Sequence, residues 1–334
     1  MNANNMEWPQ ILQDYPGVSH GPELSLHEAI QAFRAVKHWQ PVVSIGGGEP
    51  MTWTPMLDLI TFLRLELSLP VGLTTNGTLF DEGKIQAFAK TGAGVTLSID
   101  GMEETHDRIR GAGNFRKATN LLQRLVELRR EGRYPGGVYS LFALHQQNYG
   151  EVPEVVRFLL DDMDIDSLTI SFLVFSTPEI LEKHQRWVRA RGLPETFDIH
   201  IPRGGVYSRE AFERMDFENI WEDLKTLRGR YQKVRFEPDF RTLEHLKRYF
   251  LTDELMPDYF RQFCLPTRQE IALLSNGDVL FMPGCFQIKI GNVREKGLDE
   301  IWKGKEMREF RKILGTHLSP ICAHCCANRV EKHL

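Results

Sequence analysis

Three groups of residues have the types and spacing to do chemistry. The first is Gly46-Gly47-Gly48-Glu49-Pro50, which follows an apolar, β-branched stretch at 42–45. Glycines at the end of a buried strand let the backbone turn sharply and approach a ligand closely, because no Cβ stands in the way. Glu49 adds a carboxylate, which at a strand end is placed to grip an ammonium group by charge-assisted hydrogen bonds. The second group is polar and flexible: Thr74-Thr75-Asn76-Gly77, Ser98-Ile99-Asp100-Gly101 and His145-Gln146-Gln147-Asn148. Each alone reads as a turn, since Asn-Gly and Asp-Gly are ordinary turn dipeptides. The third is a set of five cysteines, Cys264, Cys285, Cys322, Cys325 and Cys326. An odd number of cysteines, in a chain whose first residues do not read as a secretory leader, argues for metal rather than a disulfide framework.

Cys322 and Cys325 form a CxxC knuckle. Within 271–280, Asn276-Gly277 is a tight turn between two short strands, which brings Cys264 and Cys285 near each other and lets four thiolates converge. Soft thiolates in a set of four suit an iron–sulfur cluster or tetrahedral zinc, and spacing does not separate the two. Cys326 adjoins Cys325, and neighbouring residues seldom ligate one metal together, so Cys326 is an alternative fourth ligand. His324 reads as a structural or exposed residue rather than a ligand.

The elements that position these groups alternate regularly. Ser25 and Glu28 have capping-box spacing ahead of Ala29, Ile30, Ala32, Phe33 and Val36 at helical intervals. Past the strand at 42–45, the periodicity predicts a helix over 56–67, strand 71–75, helix 85–89, strand 95–99, helix 115–128, strand 138–144, helix 152–160, strand 168–175 and a helix from 178. Five strands separated by helices favour a parallel sheet or open barrel with its chemistry at the carboxyl ends, where the first two groups lie. The stretch 176–263 adds helical patterns at 180–188 and 212–227 and a strand at 234–237. Its aromatic residues Trp187, Tyr207, Trp221, Phe236 and Phe240 read as core rather than as a substrate platform.

Composition bounds the function. With 334 residues and 42% hydrophobic content the chain can bury a large core. A net charge of −4, with no basic run interleaved with aromatics, argues against a general nucleic-acid binder. The densest basic patch, 128–133, closes a helix, where cations suit the dipole. No apolar stretch is long enough to span a bilayer, and residues 1–10 lack the basic and apolar parts of a signal peptide, so a cytoplasmic location is expected, with no membrane partner.

Over residues 25–175 the order and spacing of these motifs resemble the radical S-adenosylmethionine (SAM) superfamily. The resemblance implies that Gly47, Gly48, Glu49 and Pro50 bind the amino group of the SAM methionine and that Thr75, Asn76, Ser98 and Asp100 line the SAM pocket. The stretch 106–111 is also typical of that family. Its Arg108 and Arg110 are expected to be a solvated loop pair rather than ligands. From Cys264 onward the chain resembles the auxiliary-cluster domains called SPASM and twitch. This implies an auxiliary [4Fe-4S] cluster on Cys264, Cys285, Cys322 and Cys325, in the shorter, single-cluster form. The expected fold is α/β, a partial (βα)6-type TIM-like barrel with its first strand apparently missing, followed by a small cluster domain. The expected divisions are an irregular segment 1–25, the barrel 26–190, a bridge 191–263 and the cluster domain 264–334.

One departure from the family pattern governs the functional reading. Such enzymes carry a CxxxCxxC loop whose three thiolates hold a [4Fe-4S] cluster with an open iron for SAM. This chain has no cysteine before Cys264. The expectation is an N-terminally shortened form of an enzyme that cleaves SAM reductively to a 5'-deoxyadenosyl radical and modifies a peptide or small molecule, with flavodoxin or ferredoxin as reductant. The alternatives are a degenerate, non-catalytic iron–sulfur partner or substrate-binding subunit, which binds SAM weakly at most, completion by a second chain, and a zinc-binding structural protein.

Overall fold

The computed structural model describes residues 21–193, 205–256, 264–281 and 288–325. Two compact units are distinguished: Ala29–Phe172 with Glu218–Glu237, and the remaining described residues.

The first unit is a six-stranded parallel sheet in sequential order, β1 (Val43–Ile45), β2 (Val71–Thr75), β3 (Gly94–Ser98), β4 (Val138–Leu144), β5 (Ser167–Phe172) and β6 (Val234–Glu237). The strand expected at 234–237 is thus the sixth of the sheet. Helices connect the strands: α1 (Leu26–Val36) leads in, followed by α2 (Met56–Thr61), α3 (Glu82–Thr91), α4 (Glu103–Arg110), α5 (Asn114–Arg130) and α6 (Val152–Arg157). One face of each strand is buried beneath the helices, with Val71, Leu73, Val95, Leu97, Phe142, Leu144, Leu168 and Ile170 among its residues. This is the period-two alternation of a sheet covered on one side. The helix α5 buries Phe115, Ala118, Leu121, Leu122, Leu125, Val126 and Leu128, the stripe its spacing predicts. Its start is fixed by Asp107, whose carboxylate accepts from Gly113 N at 2.6 Å and Phe115 N at 2.8 Å. These two donors hold the Asp107 carboxyl below its usual range.

Helices α2 and α6 end alike. Each runs on into a π-helical turn, Phe62–Glu66 and Phe158–Asp162, and closes with a left-handed residue, Ser68 or Asp164. The terminal amides of Leu67 and Met163 reach the Phe62 and Phe158 carbonyls at 3.1 and 2.9 Å, which satisfies the helix ends before β2 and β5 begin.

The second unit contains α7 (Pro178–Ala190), α9 (Leu243–Leu251), α10 (Leu298–Trp302), α11 (Lys305–Leu314) and an antiparallel sheet of β7 (Ala272–Leu273), β8 (Asp278–Phe281) and β9 (Ile288–Asn292). Helix α8 (Phe217–Arg230) packs with the parallel sheet, and Arg228 lies 4.7 Å over the Phe236 ring. The hairpin expected around Asn276-Gly277 is present. Asp278, fully buried, is compensated by Lys289 Nζ at 2.6 Å and by the Asn292 and Asn276 amides at 2.8 and 3.0 Å. The capping box forms too: Glu28 N donates to Ser25 Oγ at 3.3 Å and Ser25 N to Glu28 Oε2 at 2.8 Å.

Two sequence expectations are corrected. The strand expected over 168–175 ends at Phe172, because Ser176 leaves the sheet to pair with Val206, donating to Gly205 O and accepting from Tyr207 N. The helix expected over 212–227 begins at Phe217, because a 3-10 turn, Arg209–Ala211, precedes it and Phe212 closes that turn. Of the five aromatic residues expected in the core, Phe236 and Phe240 are buried and Trp187, Tyr207 and Trp221 are half-buried. No helix among the described residues is long and apolar enough to cross a membrane.

Candidate functional site

The carboxyl ends of β1 and β2 are joined by a single side chain. Glu49 Oε1 accepts from the Thr75 hydroxyl at 2.8 Å and from Met51 N at 3.1 Å, while Oε2 accepts from Asn76 N at 2.8 Å. Thr75 is buried and also receives Gly77 N at 3.1 Å, so it is fixed from both sides. Asn76 is held in an Asx turn by Thr78 N and Thr78 Oγ1 at 2.9 and 2.8 Å. With Glu49 anchored, Gly46, Gly47 and Gly48 stand exposed above the sheet. Gly47 has φ +126°, where a side chain would be strained. Pro50, buried, opens the 3-10 turn that follows.

Asp100 organises the ends of β3 and β4. Its buried carboxylate accepts from Ala143 N at 2.9 Å and from Arg110 Nε at 2.6 Å, its backbone N–H donates to His106 Nδ1 at 3.2 Å, and its carbonyl accepts from Asn148 Nδ2 at 3.0 Å. Asn148 binds the Ala143 carbonyl as well, at 2.8 Å, and accepts from His145 N. Glu151 closes the cluster by accepting from Met102 N at 2.8 Å and from the Thr105 hydroxyl. Gly101 sits beneath it with φ +155°, and a Cβ there would lie 2.7 Å from Thr105 Cγ2, so the turn requires glycine. Burial pushes the His106 and His145 imidazoles below their ordinary pKa and favours their neutral forms. Ser98, next to this cluster on β3, is buried and its hydroxyl has no hydrogen-bond partner among the described residues.

Arg110 differs from the expectation of a solvated pair, and both arginines differ in their element. They lie on helix α4 rather than in a loop, Arg108 donating to Thr105 Oγ1 at 3.1 Å and Arg110 pairing with Asp100. Arg108 is exposed and its acceptor lies one turn back on the same helix, whereas Asp100, at the end of β3, pairs with Arg110 and overrode the solvated reading there. Sequence reasoning also passed over Glu151, and it gave His106 only as the start of the stretch 106–111 with no contact assigned. Neither belongs to a turn dipeptide, and their partners are fixed only once the strand ends meet. Asn148 was legible as a strand-end residue, though its role as a cross-strand tie was not.

In the second unit, Cys264 is half-buried and Cys322 and Cys325 are buried, all as free thiols. Cys264 is held by its backbone, donating to Leu314 O at 2.8 Å and accepting from Thr267 Oγ1 at 2.7 Å. Burial pushes the Cys264 thiol up to about 12, with a further push from Cys325. Cys322 is raised for the same reasons, burial first, then Cys325 and Cys264. Both shifts name Cys325 as a neighbour, and thiolates are soft donors. No group of three or more His, Cys, Asp or Glu side chains among the described residues is arranged so that it could hold a metal ion. Cys285 and Cys326 lie outside the described residues.

The knuckle between Cys322 and Cys325 is pinned by the residue between them. His324 is buried, its Nδ1 lies 3.2 Å from Phe175 O and its Nε2 3.0 Å from Thr252 O, and its ring stacks on Phe175 at 3.9 Å. The Tyr249 hydroxyl donates to its carbonyl at 2.9 Å. Its imidazole is structural, as expected.

The profile of the radical SAM superfamily matches residues 10–159, and that of an iron–sulfur cluster-binding domain, SPASM, matches residues 264–326. The chain thus carries a radical SAM domain followed by a C-terminal SPASM domain. Over 294 residues it is 21% identical to the tungsten-containing aldehyde ferredoxin oxidoreductase cofactor-modifying protein of Pyrococcus furiosus, covering 85% of this chain and 73% of that protein. It is 30% identical over 138 residues to Fe-coproporphyrin III synthase of Methanosarcina barkeri, covering 41% of this chain and 33% of that one. Among solved structures, Streptococcus suis SuiB bound to S-adenosylmethionine superposes with a TM-score of 0.59 at 17% identity over 90% of this chain, and anSMEcpe with bound AdoMet and a peptide with 0.57 at 16% over 93%. The chain spans 62% of that SuiB chain and 81% of that anSMEcpe chain. These likenesses show the fold, an α/β radical SAM arrangement with a C-terminal SPASM domain. Iron–sulfur clusters and SAM are the cofactors of such proteins.

Proposed function

We propose that this chain is the SAM-binding and auxiliary-cluster portion of a maturase that modifies a peptide or a cofactor. The observation that carries the reading is the Glu49 clamp. With three donors already on its carboxylate, Glu49 acts by fixing the loop, and the exposed backbone of Gly46, Gly47 and Gly48 is what remains to accept an ammonium group. Across the sheet, the unpartnered Ser98 hydroxyl faces the same end and supplies a donor and acceptor for a carboxylate or ribose. Asp100, tied to Arg110 and Ala143, acts as a support that keeps the ends of β3 and β4 in place.

In the C-terminal domain, Cys264, Cys322 and Cys325, with Cys285 or alternatively Cys326, would hold an auxiliary [4Fe-4S] cluster, which supplies electron transfer or a substrate-binding iron when present. Burial and His324 exclude water from the Cys322–Cys325 knuckle and set its shape. A catalytic cluster does not fit residues 1–263, which contain no cysteine. No step of SAM cleavage is therefore assigned to this chain's side chains. Radical chemistry requires three thiolates from outside this sequence, and with them a reducing partner such as flavodoxin or ferredoxin. Two readings of that requirement remain, a shortened form of an active enzyme and a non-catalytic iron–sulfur partner.

Calorimetric titration of the purified chain with SAM tests the proposal. Saturable one-to-one binding that weakens on Glu49→Ala supports it, and the absence of heat for wild type overturns it. The coding sequence upstream of Met1 separates the two readings: an in-frame CxxxCxxC identifies the shortened enzyme.

A further inference from the structure

The face of the parallel sheet turned away from the helices has an unusual lining. One register row crosses the strands as Ser98, Leu141, Thr169 and Arg235, and Thr74 pairs with Thr96 in the row below. Closed (βα)8 barrels fill this space with bulky branched side chains. Short hydroxyl side chains leave it open, as a polar floor. One long cation stands on it. Arg235 is exposed, and its side chain has neither a hydrogen bond nor an ion pair among the described residues. Its neighbour Phe236 is buried under the Arg228 guanidinium of α8, so strand alternation turns Arg235 to the opposite, open face.

We propose that Arg235 binds a carboxylate of the substrate. The proposal rests on the SAM-site reading above and gives that site its substrate class. A guanidinium stays charged at any working pH and presents a planar fork that matches a carboxylate in two parallel hydrogen bonds. Arg235 shares its row with Ser98 and lies three strand spacings from it, about 14 Å. A substrate anchored at Arg235 therefore extends along the floor toward the SAM end, with Thr169 and Leu141 between. The hydroxyls of the floor add hydrogen bonds without filling the space a ligand needs.

The test measures binding by the full chain of two probe pairs, each differing only at the carboxylate. One pair is coproporphyrin III and its tetramethyl ester. The other is a short Gly-Leu peptide with a free C-terminal carboxylate and the same peptide amidated. Wild type is expected to prefer the acid of at least one pair, and Arg235→Gln to lose that preference by at least about tenfold. Arg235→Lys is expected to fall between, since it keeps the charge and loses the fork. The pair that discriminates identifies the source of the carboxylate as small molecule or peptide. Equal binding of acid and blocked form by wild type for both pairs, or a preference that survives in Arg235→Gln, overturns the proposal. Far-UV circular dichroism on each variant confirms folding. SAM titration of the same preparations reads the SAM site separately: failure there faults that reading, whereas intact SAM binding with no role for Arg235 faults this one alone.

Discussion

The Thr75 hydroxyl donates to the Glu49 carboxylate across 2.8 Å, and so ties the loop after β1 to the end of β2. That bond makes the geometry of Gly46, Gly47 and Gly48 depend on a residue in the next βα unit. Thr75→Val removes the donor and leaves a charged acceptor short of one partner, a loss of roughly 1.5–3 kcal/mol where the bond is intact. SAM affinity is expected to fall by about tenfold, read by titration calorimetry, with Thr75→Ser retaining most of it. Equal affinity in Thr75→Val would show that the loop holds its shape without the clamp.

Asp100 and Arg110 form a partly buried pair at 2.6 Å, and the same carboxylate receives Ala143 N. Arg110→Met leaves the carboxylate with one donor and removes its charge partner. A part-buried pair broken on one side costs roughly 3 kcal/mol. A lowered Tm is expected in thermal unfolding followed by circular dichroism. Asp100→Asn should be milder than Asp100→Ala, because the amide oxygen still accepts from Ala143 N.

Glu28 and Arg294 staple residues 22–28 to the hairpin of the second unit. Arg294 Nε lies 2.6 Å from Glu28 Oε1, and the same guanidinium binds Asn276 O at 2.7 Å and Pro22 O at 3.1 Å. The Arg294 hydrogen bond, and then those of Ser25, lower the Glu28 pKa from 4.5 to about 2. A carboxyl depressed on folding stabilises above its unfolded pKa and loses that contribution as pH falls through its folded value. The stability it contributes is therefore complete above pH 4.5 and lost as pH falls from 4.5 to about 2, where the folded carboxylate protonates and the staple is released. Hydrogen exchange at Leu24 N, which donates to Ser275 O, reports it. Arg294→Ala should speed that exchange at neutral pH, and high salt should speed it in wild type, since both partners are partly exposed.

The raised thiols of Cys264 and Cys322 are protonated at neutral pH in the metal-free chain. Metal must displace those protons, so uptake is expected to release acid and to tighten as pH rises. A pH-stat during anaerobic reconstitution with iron and sulfide measures the release. His324→Ala, which unpins the knuckle, should lower the retained iron while leaving the parallel sheet's circular dichroism unchanged.

Much of this was legible in the chain itself. The βα alternation set β1 to β5 within a few residues, because both periods were strong and the helix stripes uninterrupted. The loop at Gly46 to Pro50 was legible as a binding turn, but Glu49 as its internal clamp was not. That role depends on Thr75 and Asn76, more than twenty positions away, and nothing in local pattern records such a bond. Arg110 was hidden for the same reason: a basic residue near a turn looks solvated until Asp100 is brought beside it. Arg235 carried no signal at all, since only the register of β5 against β6 shows which face it occupies.

Metal analysis of the chain purified without oxygen tests the central claim most directly. Iron and sulfide are measured together with the visible absorbance, on wild type and on Cys264→Ser and Cys322→Ser. The expected result is about four iron and four sulfide per chain with a broad brown absorbance, lost in both variants. A colourless protein carrying zinc, or about eight iron per chain with half retained in the variants, would contradict a single auxiliary cluster on the C-terminal cysteines.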